Sequence, residues 1–289
     1  MQTAADLIES LTLERIEENL FRGFTPAGGA NRIFGGQVIA QSLLAAYATV
    51  ESRLCHSLHC YFLRPGDPNI PILFQVDPSR DGGSFSTRRV AAIQHGKQIF
   101  NFAASFQDSA DGFEHQSVMP EAPGPESIRP PRPVKLPEGP PAGDSETENM
   151  LRQANRLSAI DVRFVPLPKS DGPREAKVQL WMRARGEIGD DPRMHQAVMA
   201  FASDIGLMNT ALTPHPANWA TPGLQTASLD HAMWFHRPSD FSRWHLVAQD
   251  SPSASGGRGF NRGEMYCEDG VLVASTAQEG MMRVRRPKG

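Results

Sequence analysis

Long apolar runs are missing from this chain of 289 residues. No stretch approaches the ~18 unbroken apolar residues of a membrane-spanning helix, so no membrane span is expected. The N-terminus, MQTAADLIESL, places Asp6 and Glu9 where a secretory signal needs a basic and then an apolar segment, so it does not read as one. Cysteine is scarce: Cys55, Cys60 and Cys267 are an odd number with no C-x-x-C spacing. Cys55 and Cys60 sit five apart in a strand-like segment and are expected on opposite faces. A disulfide framework or zinc site is therefore not expected, and the thiols read as incidental ones of a reducing compartment. A dominant charge sign is lacking too. Twenty-nine Lys and Arg against 32 Asp and Glu leave a net charge of −3, which argues against a nucleic-acid or anionic-membrane binder. There is no G-x-S-x-G elbow either, which weighs against a serine nucleophile on an α/β-hydrolase fold.

What is present suits a globular protein of two domains of ~100–200 residues each. The chain is 39% hydrophobic and 21% charged, enough to build a core. Its prolines are uneven: nine of 24 fall between Met119 and Asp144, in a stretch poor in aromatic and β-branched residues. Such a segment buries too little surface to fold alone and reads as an extended linker. The expected division is an N-terminal unit at 1–115, a proline-rich linker at 116–154 and a C-terminal unit at 155–289.

The two units resemble one another. HSLHCYFLRPGD (His56–Asp67) matches ASLDHAMWFHRPSD (Ala227–Asp240) when Arg64-Pro65 is laid on Arg237-Pro238, an offset of 173. Gly82-Gly83 then meets Gly256-Gly257, Gly96 meets Gly270, and Gln107 meets Gln278, at offsets of 174, 174 and 171. Four landmarks near one offset point to duplication of a ~100-residue unit rather than a solenoid. In the first copy FGGQ opens the run VIAQSLLAAYATV at helical spacing. HSLHCYFL, PILFQVDP, SFSTRRVAAIQ and KQIFNFAASFQ follow as strands, the last two joined as a hairpin through QHGK. In the second copy Asp190-Asp191-Pro192 is a helix start, with Met194, Val198, Phe201 and Ile205 on one face and Gly206 as its stop. Strands are expected in SLDHAMWF, WHLVAQDS, GFNRGEMYCE and VLVASTAQEGMMRV. A helix apolar on nearly every side is better enclosed by a sheet than laid on one. The expected class is α+β, each unit an antiparallel sheet wrapped round a helix, with two units able to join sheet edges.

The motifs FGGQVIAQSLLAA, HSLHCYFLRPGD, DGGSFSTRRVAAIQ, HQAVMAFASD, LDHAMWFHRP, SGGRGFNRGE and GVLVASTAQEG occur in order and at spacings that resemble the acyl-CoA thioesterase II family, from Leu11 to Arg283. The resemblance implies a double hotdog, two tandem units each with a long helix wrapped by an antiparallel sheet. It implies hydrolysis of fatty acyl-CoA by an activated water, without metal or redox cofactor. It carries an aspartate onto Asp204, a hydroxyl onto Ser228 and a glutamine onto Gln278, which in the family hold and activate the attacking water. Relatives commonly have threonine where Ser228 stands; donor and acceptor capacity is unchanged, and a rotamer restriction is lost. A homo-oligomer, dimer or tetramer, is implied as well. The C-terminal RRPKG lacks a Ser-Lys-Leu peroxisomal address, so a cytoplasmic location is expected.

The residues also have readings of their own. Asp204 ends its helix, where the macrodipole disfavours negative charge, and flanks Phe201 and Ile205; partial burial would raise its pKa towards that of a usable base. A solvated aspartate at a helix end is the plainer alternative. Ser228 alternates with Asp230, Ala232 and Trp234 on one strand face. Gln278 is expected inward with Ala274 and Thr276, either networked in the core or facing a site. His56, His59, His231 and His236 suggest a histidine base but read more readily as core or surface imidazoles. Gly35-Gly36-Gln37 offers backbone N–H groups to an oxyanion or phosphate, or simply tight helix packing. Arg64, Arg88, Arg89, Arg237 and Arg258 are candidates for CoA phosphates, solvated strand edges being the alternative. Two further functions compete with hydrolysis: a hotdog enoyl-CoA hydratase or dehydratase, which would need an Asp/His pair, and a non-catalytic acyl-CoA-binding protein.

Overall fold

In a computed structural model, residues 1–26, 31–130, 157–167, 172–217 and 221–284 are described. Helix α1 (Ala4–Leu11) starts at a capping box in which Thr3 and Asp6 satisfy each other's backbone N–H groups. Strands β1 (Glu14–Glu17) and β2 (Leu20–Gly23) lead to helix α2 (Gly35–Tyr47). The first half continues as β3 (Leu54–Phe62), β4 (Ile72–Asp81), β5 (Phe85–Gln94) and β6 (Lys97–Gln107). The β5–β6 hairpin turns at His95 and Gly96 with φ of 49° and 67°, the paired positive values of a two-residue hairpin turn that follows the sheet twist. The second half comprises β7 (Ile160–Phe164), β8 (Lys177–Ala184), α3 (Pro192–Ser203), α4 (Leu207–Leu212), β9 (Leu224–Ser228), β10 (Asp230–Phe235), β11 (His245–Ser255), β12 (Arg258–Cys267) and β13 (Leu272–Val284). Helix α3 begins as its sequence dictates, with Asp191 capping Arg193 N–H and Pro192 in the first turn.

All thirteen described strands belong to one antiparallel sheet in the order β1-β2-β4-β5-β6-β3-β10-β13-β12-β11-β8-β7, with β9 also on β13. The first six strands therefore occupy one side and the last seven the other. They meet at a β3–β10 seam where Leu58 faces Met233, both fully buried. Pairing β3 with β10 removes two free edges that would otherwise attract other chains. Helices α2 and α3 lie side by side and antiparallel: Gly36 abuts Phe201 at one end, and Tyr47 hydrogen-bonds Gln196 at the other. Almost every residue of α2 is buried, as its all-round apolar sequence requires.

Two expectations change. Cys55 and Cys60 both lie in the core rather than on opposite faces, because the β3–β6 register slips by one residue between Cys55 and Ser57 and resets the alternation. Part of the expected tether is also docked. Ile128 packs with Trp181, Trp244 and Leu246, Trp181 Nε1 donates to the Pro123 carbonyl at 2.8 Å, and Trp244 Nε1 donates to Glu126 at 3.0 Å. Residues 131–156 of that linker, and RRPKG at 285–289, lie outside the described residues.

Candidate active site

Helix α2 lacks a cap of its own. Phe34 occupies its N-cap position and has no side-chain acceptor to offer. The N–H that a Ser or Asp cap would satisfy is that of Gly36, in the second helical position. It donates instead to Asp204 Oδ2 at 3.1 Å, across the boundary between the two halves of the chain. Asp204 is the C-cap residue of α3, so its carboxylate stands where one helix ends and the other begins. The dipole of α3 opposes a charge there and that of α2 favours it. A methyl group at Gly35 would come within 2.6 Å of Asp204 Oδ2, and one at Gly36 would overlap the Phe201 carbonyl. The glycine pair permits this close approach, and the Gly36 N–H is bound to the carboxylate rather than presented to an oxyanion or phosphate.

The other carboxylate oxygen faces the sheet. Gln278 Nε2 donates to Asp204 Oδ1 at 2.7 Å, and Ser228 Oγ lies 3.5 Å from the same atom. Asp204, Ser228 and Gln278 are thus brought together from α3, β9 and β13. Gln278 is fully buried and points inward with Ala274 and Thr276, as the alternation of β13 predicts. Its Oε1 has no hydrogen-bond partner among the described residues. Burial pushes the Asp204 carboxyl up to about 6, against the opposing pull of the Gln278, Gly36 and Ser228 donors. The group is ionised at neutral pH and close enough to it to exchange a proton.

Ser228 reaches the site through a register shift that its sequence does not announce. Along β10, Ala232 faces Ala277 of β13, whereas on β9 Ser228 faces Gly280, one residue out of step. The extra residue is Leu229, whose N–H donates to the Glu279 carbonyl at 2.9 Å. This bulge moves Ser228 off the face of Asp230, Ala232 and Trp234 and onto the inward face of His231 and Met233.

The remaining candidates separate. His231 is buried; its Nε2 lies 3.0 Å from Ser203 Oγ and its Nδ1 3.3 Å from Gln278 Nε2. Burial lowers its pKa to about 4, so the ring is neutral and weakly basic. His56 and His236 are also lowered by burial, and His59 stacks edge-on against Trp234. Arg88 is no phosphate ligand: it is buried and spends its guanidinium on Thr49 and Asp81. Arg64 and Arg237 donate to the Gln98 and Leu272 carbonyls, and Arg258 pairs with Glu279 at 2.8 Å, while Arg89 stays exposed. A cleft of about 1000 Å³ is lined by residues including Trp234, Arg262 and Ser275 and by none of Asp204, Ser228 or Gln278, so chemistry rather than cavity volume marks the site. Among the described residues no group of three or more His, Cys, Asp or Glu is placed to hold a metal ion. Sequence reasoning missed the Gly36 cap and the Ser203–His231 pair. The first left a signal, a helix start with no capping side chain; the second left none.

Residues 25–107 match the family model of the acyl-CoA thioesterase N-terminal domain, and residues 153–281 match that of acyl-CoA thioesterase. Acyl-CoA thioesterase 2 of Haemophilus influenzae is 38% identical over 281 residues, 96% of this chain and 97% of that protein. The chain belongs to the acyl-CoA thioesterase family. Human acyl-coenzyme A thioesterase 8 is 40% identical over 296 residues, covering 95% of this chain and 88% of the relative. Among solved structures, an acyl-CoA thioesterase II from Mycobacterium marinum is 40% identical with a TM-score of 0.80, covering 97% of this chain and 100% of that one. A protein from Alicyclobacillus acidocaldarius described as having a hot dog fold superposes with a TM-score of 0.76 at 20% identity, a likeness of fold alone. The sheet with its enclosed helices is therefore a hotdog-type fold. No helix among the described residues is long and apolar enough to cross a membrane.

Proposed function

We propose that this chain hydrolyses fatty acyl-CoA to the free acid and CoA, with Asp204, Ser228 and Gln278 handling the attacking water. One observation carries the reading: a carboxylate with a pKa raised to about 6 lies 3.5 Å from a serine hydroxyl and 2.7 Å from the nitrogen of a buried amide whose oxygen has no partner among the described residues. Ionised Asp204 takes a proton from water held by Ser228 and by Gln278 Oε1, and the water oxygen bonds to the thioester carbonyl carbon. The oxyanion collapses, the C–S bond breaks, and the proton on Asp204 passes to the departing thiolate. A thiolate with an ordinary pKa of ~8.5 is more basic than this carboxylate, so the return is downhill.

The acyl chain lies between helix and sheet, where Phe, Leu and Met concentrate. The chain is a double hotdog, with units at 1–115 and 155–289 and the linker at 116–154 between them. It acts as a cytoplasmic homo-oligomer. Hydration of an enoyl thioester would need an Asp/His pair; both nitrogens of the one nearby imidazole, His231, face Ser203 and Gln278. A thiol-release assay across acyl-CoA lengths tests the reading. Asp204→Asn is expected to lose about 100-fold or more in kcat, the range of a lost general base, with the fold intact by circular dichroism. Near-wild-type turnover by that variant would overturn it.

A further inference from the structure

We propose that His231, its tautomer fixed by Ser203, is a positioning residue for hydrolysis that orients the Gln278 side-chain amide so that its oxygen, and not its nitrogen, is presented to the water. The inference rests on the preceding reading of the site and adds to it a chain of buried hydrogen bonds that the three residues alone do not explain.

Each link is dictated by the one before. The Ala200 carbonyl can only accept, so Ser203, 2.8 Å away, must donate its hydroxyl proton to it. The Ser203 oxygen is then an acceptor towards His231 Nε2 at 3.0 Å, which makes Nε2 the protonated nitrogen. A neutral imidazole has one N–H, so Nδ1 is an acceptor. Gln278 lies 3.3 Å from Nδ1 and can satisfy it only with its NH2 group. The same NH2 faces Asp204 Oδ1 at 2.7 Å, and a carboxylate oxygen also only accepts. Two acceptors at fixed places thus consume both hydrogens of Gln278 Nε2. Its Oε1 is left buried with no partner among the described residues.

Without His231 one of these acceptors is lost, and the amide can rotate about its last torsion. A rotated amide would turn Oε1 towards Asp204, setting oxygen against carboxylate, and offer N–H groups where the water must donate. The imidazole suits the task because it is buried, stays neutral near pH 7 and so never presents an N–H to Gln278 at Nδ1. His231 touches neither substrate nor water in this scheme and acts only through Gln278.

The test is a double-mutant cycle on the full chain, read as kcat and KM for a long-chain acyl-CoA. His231→Phe removes the acceptor at similar shape and is expected to lower kcat about 10–100-fold, with KM within about twofold. In a Gln278→Ala background the same change is expected to alter kcat by less than about twofold, because the group being positioned is gone. His231→Asn, whose side-chain oxygen can replace Nδ1 as acceptor, is expected to recover much of the loss. Equal losses from His231→Phe in both backgrounds, or no loss at all, would overturn the proposal. Should His231→Phe fail to fold, Ser203→Ala gives the same comparison by freeing the tautomer, with a smaller loss in the Gln278 background only. Wild-type activity in Gln278→Ala would instead overturn the site reading on which the inference rests, so the two failures are distinguishable.

Discussion

At the residue scale the site turns on what burial does to one carboxyl group. Asp204 is held near pKa 6 mainly by desolvation, so its ionised fraction falls as pH drops below about 6. The acid limb of kcat/KM is expected there, and Asp204→Asn should abolish it together with most of the turnover. The same shift has a stability consequence. A carboxyl whose pKa is 3.8 when unfolded and about 6 when folded binds a proton more tightly in the native state. It stabilises the fold below pH 3.8, and that contribution is lost as pH rises through about 6. Across the window the wild type should lose about 2–3 kcal/mol relative to Asp204→Asn. Thermal melts of both proteins at pH 4 and 7 check this: the wild type should compare more favourably with the variant at pH 4. A pH-independent difference would mean that the carboxyl is solvated. At Asp204 the helix end beside Phe201 and Ile205 left burial and solvation both open, and only the family resemblance singled the residue out. Gln278 was legible because β13 alternates without interruption past it.

At the scale of elements the sequence becomes harder to read, for one recurrent reason. Period-two alternation assigns faces only where the register holds, and it slips in β3 between Cys55 and Ser57 and again at Leu229. Both slips reversed an expected face, that of a thiol pair in the first case and of Ser228 in the second. Strand β8 was missed although Val178, Leu180, Met182 and Ala184 alternate on one buried face. Only Trp181, on the second face and covered by Ile128 from the proline-rich segment, breaks the pattern. The Leu229 bulge carries a prediction. Deleting Leu229 would remove the bulge and leave Ser228 opposite Gly280 on the inward face in one continuous register, so a folded deletion variant should keep a kcat well above that of Ser228→Ala. Ser228→Thr keeps the hydroxyl in place and should stay within about threefold of wild type. A folded deletion variant with no more turnover than Ser228→Ala would show that the bulge itself, and not the inward face alone, brings Ser228 to Asp204.

The whole molecule matters because neither half contains the site alone. Asp204, Ser228 and Gln278 come from the second half, but the N–H on Asp204 Oδ2 is Gly36's, and the wall beside the carboxylate is shared. Phe34 meets Phe201 edge to face at 5.1 Å, and Phe201 is buried within one helical turn of Asp204. The contact joins the two halves within a helical turn of the carboxyl group, and excluding water from that group would link folding to chemistry. Removing the ring by Phe201→Ala should cost about 3–5 kcal/mol, the range for a truncated buried aromatic. Water admitted to the cavity would relieve part of the desolvation that raises the Asp204 pKa. The acid limb of the pH–rate profile should therefore move to lower pH, while a purely structural wall would lower Tm and leave the limb where it was. Measured together, the melting temperature and the limb position separate the two roles. If the limb stays near 6 in a folded Phe201→Ala protein, the burial that raises the Asp204 pKa comes from the rest of its surroundings and not from the Phe34–Phe201 contact.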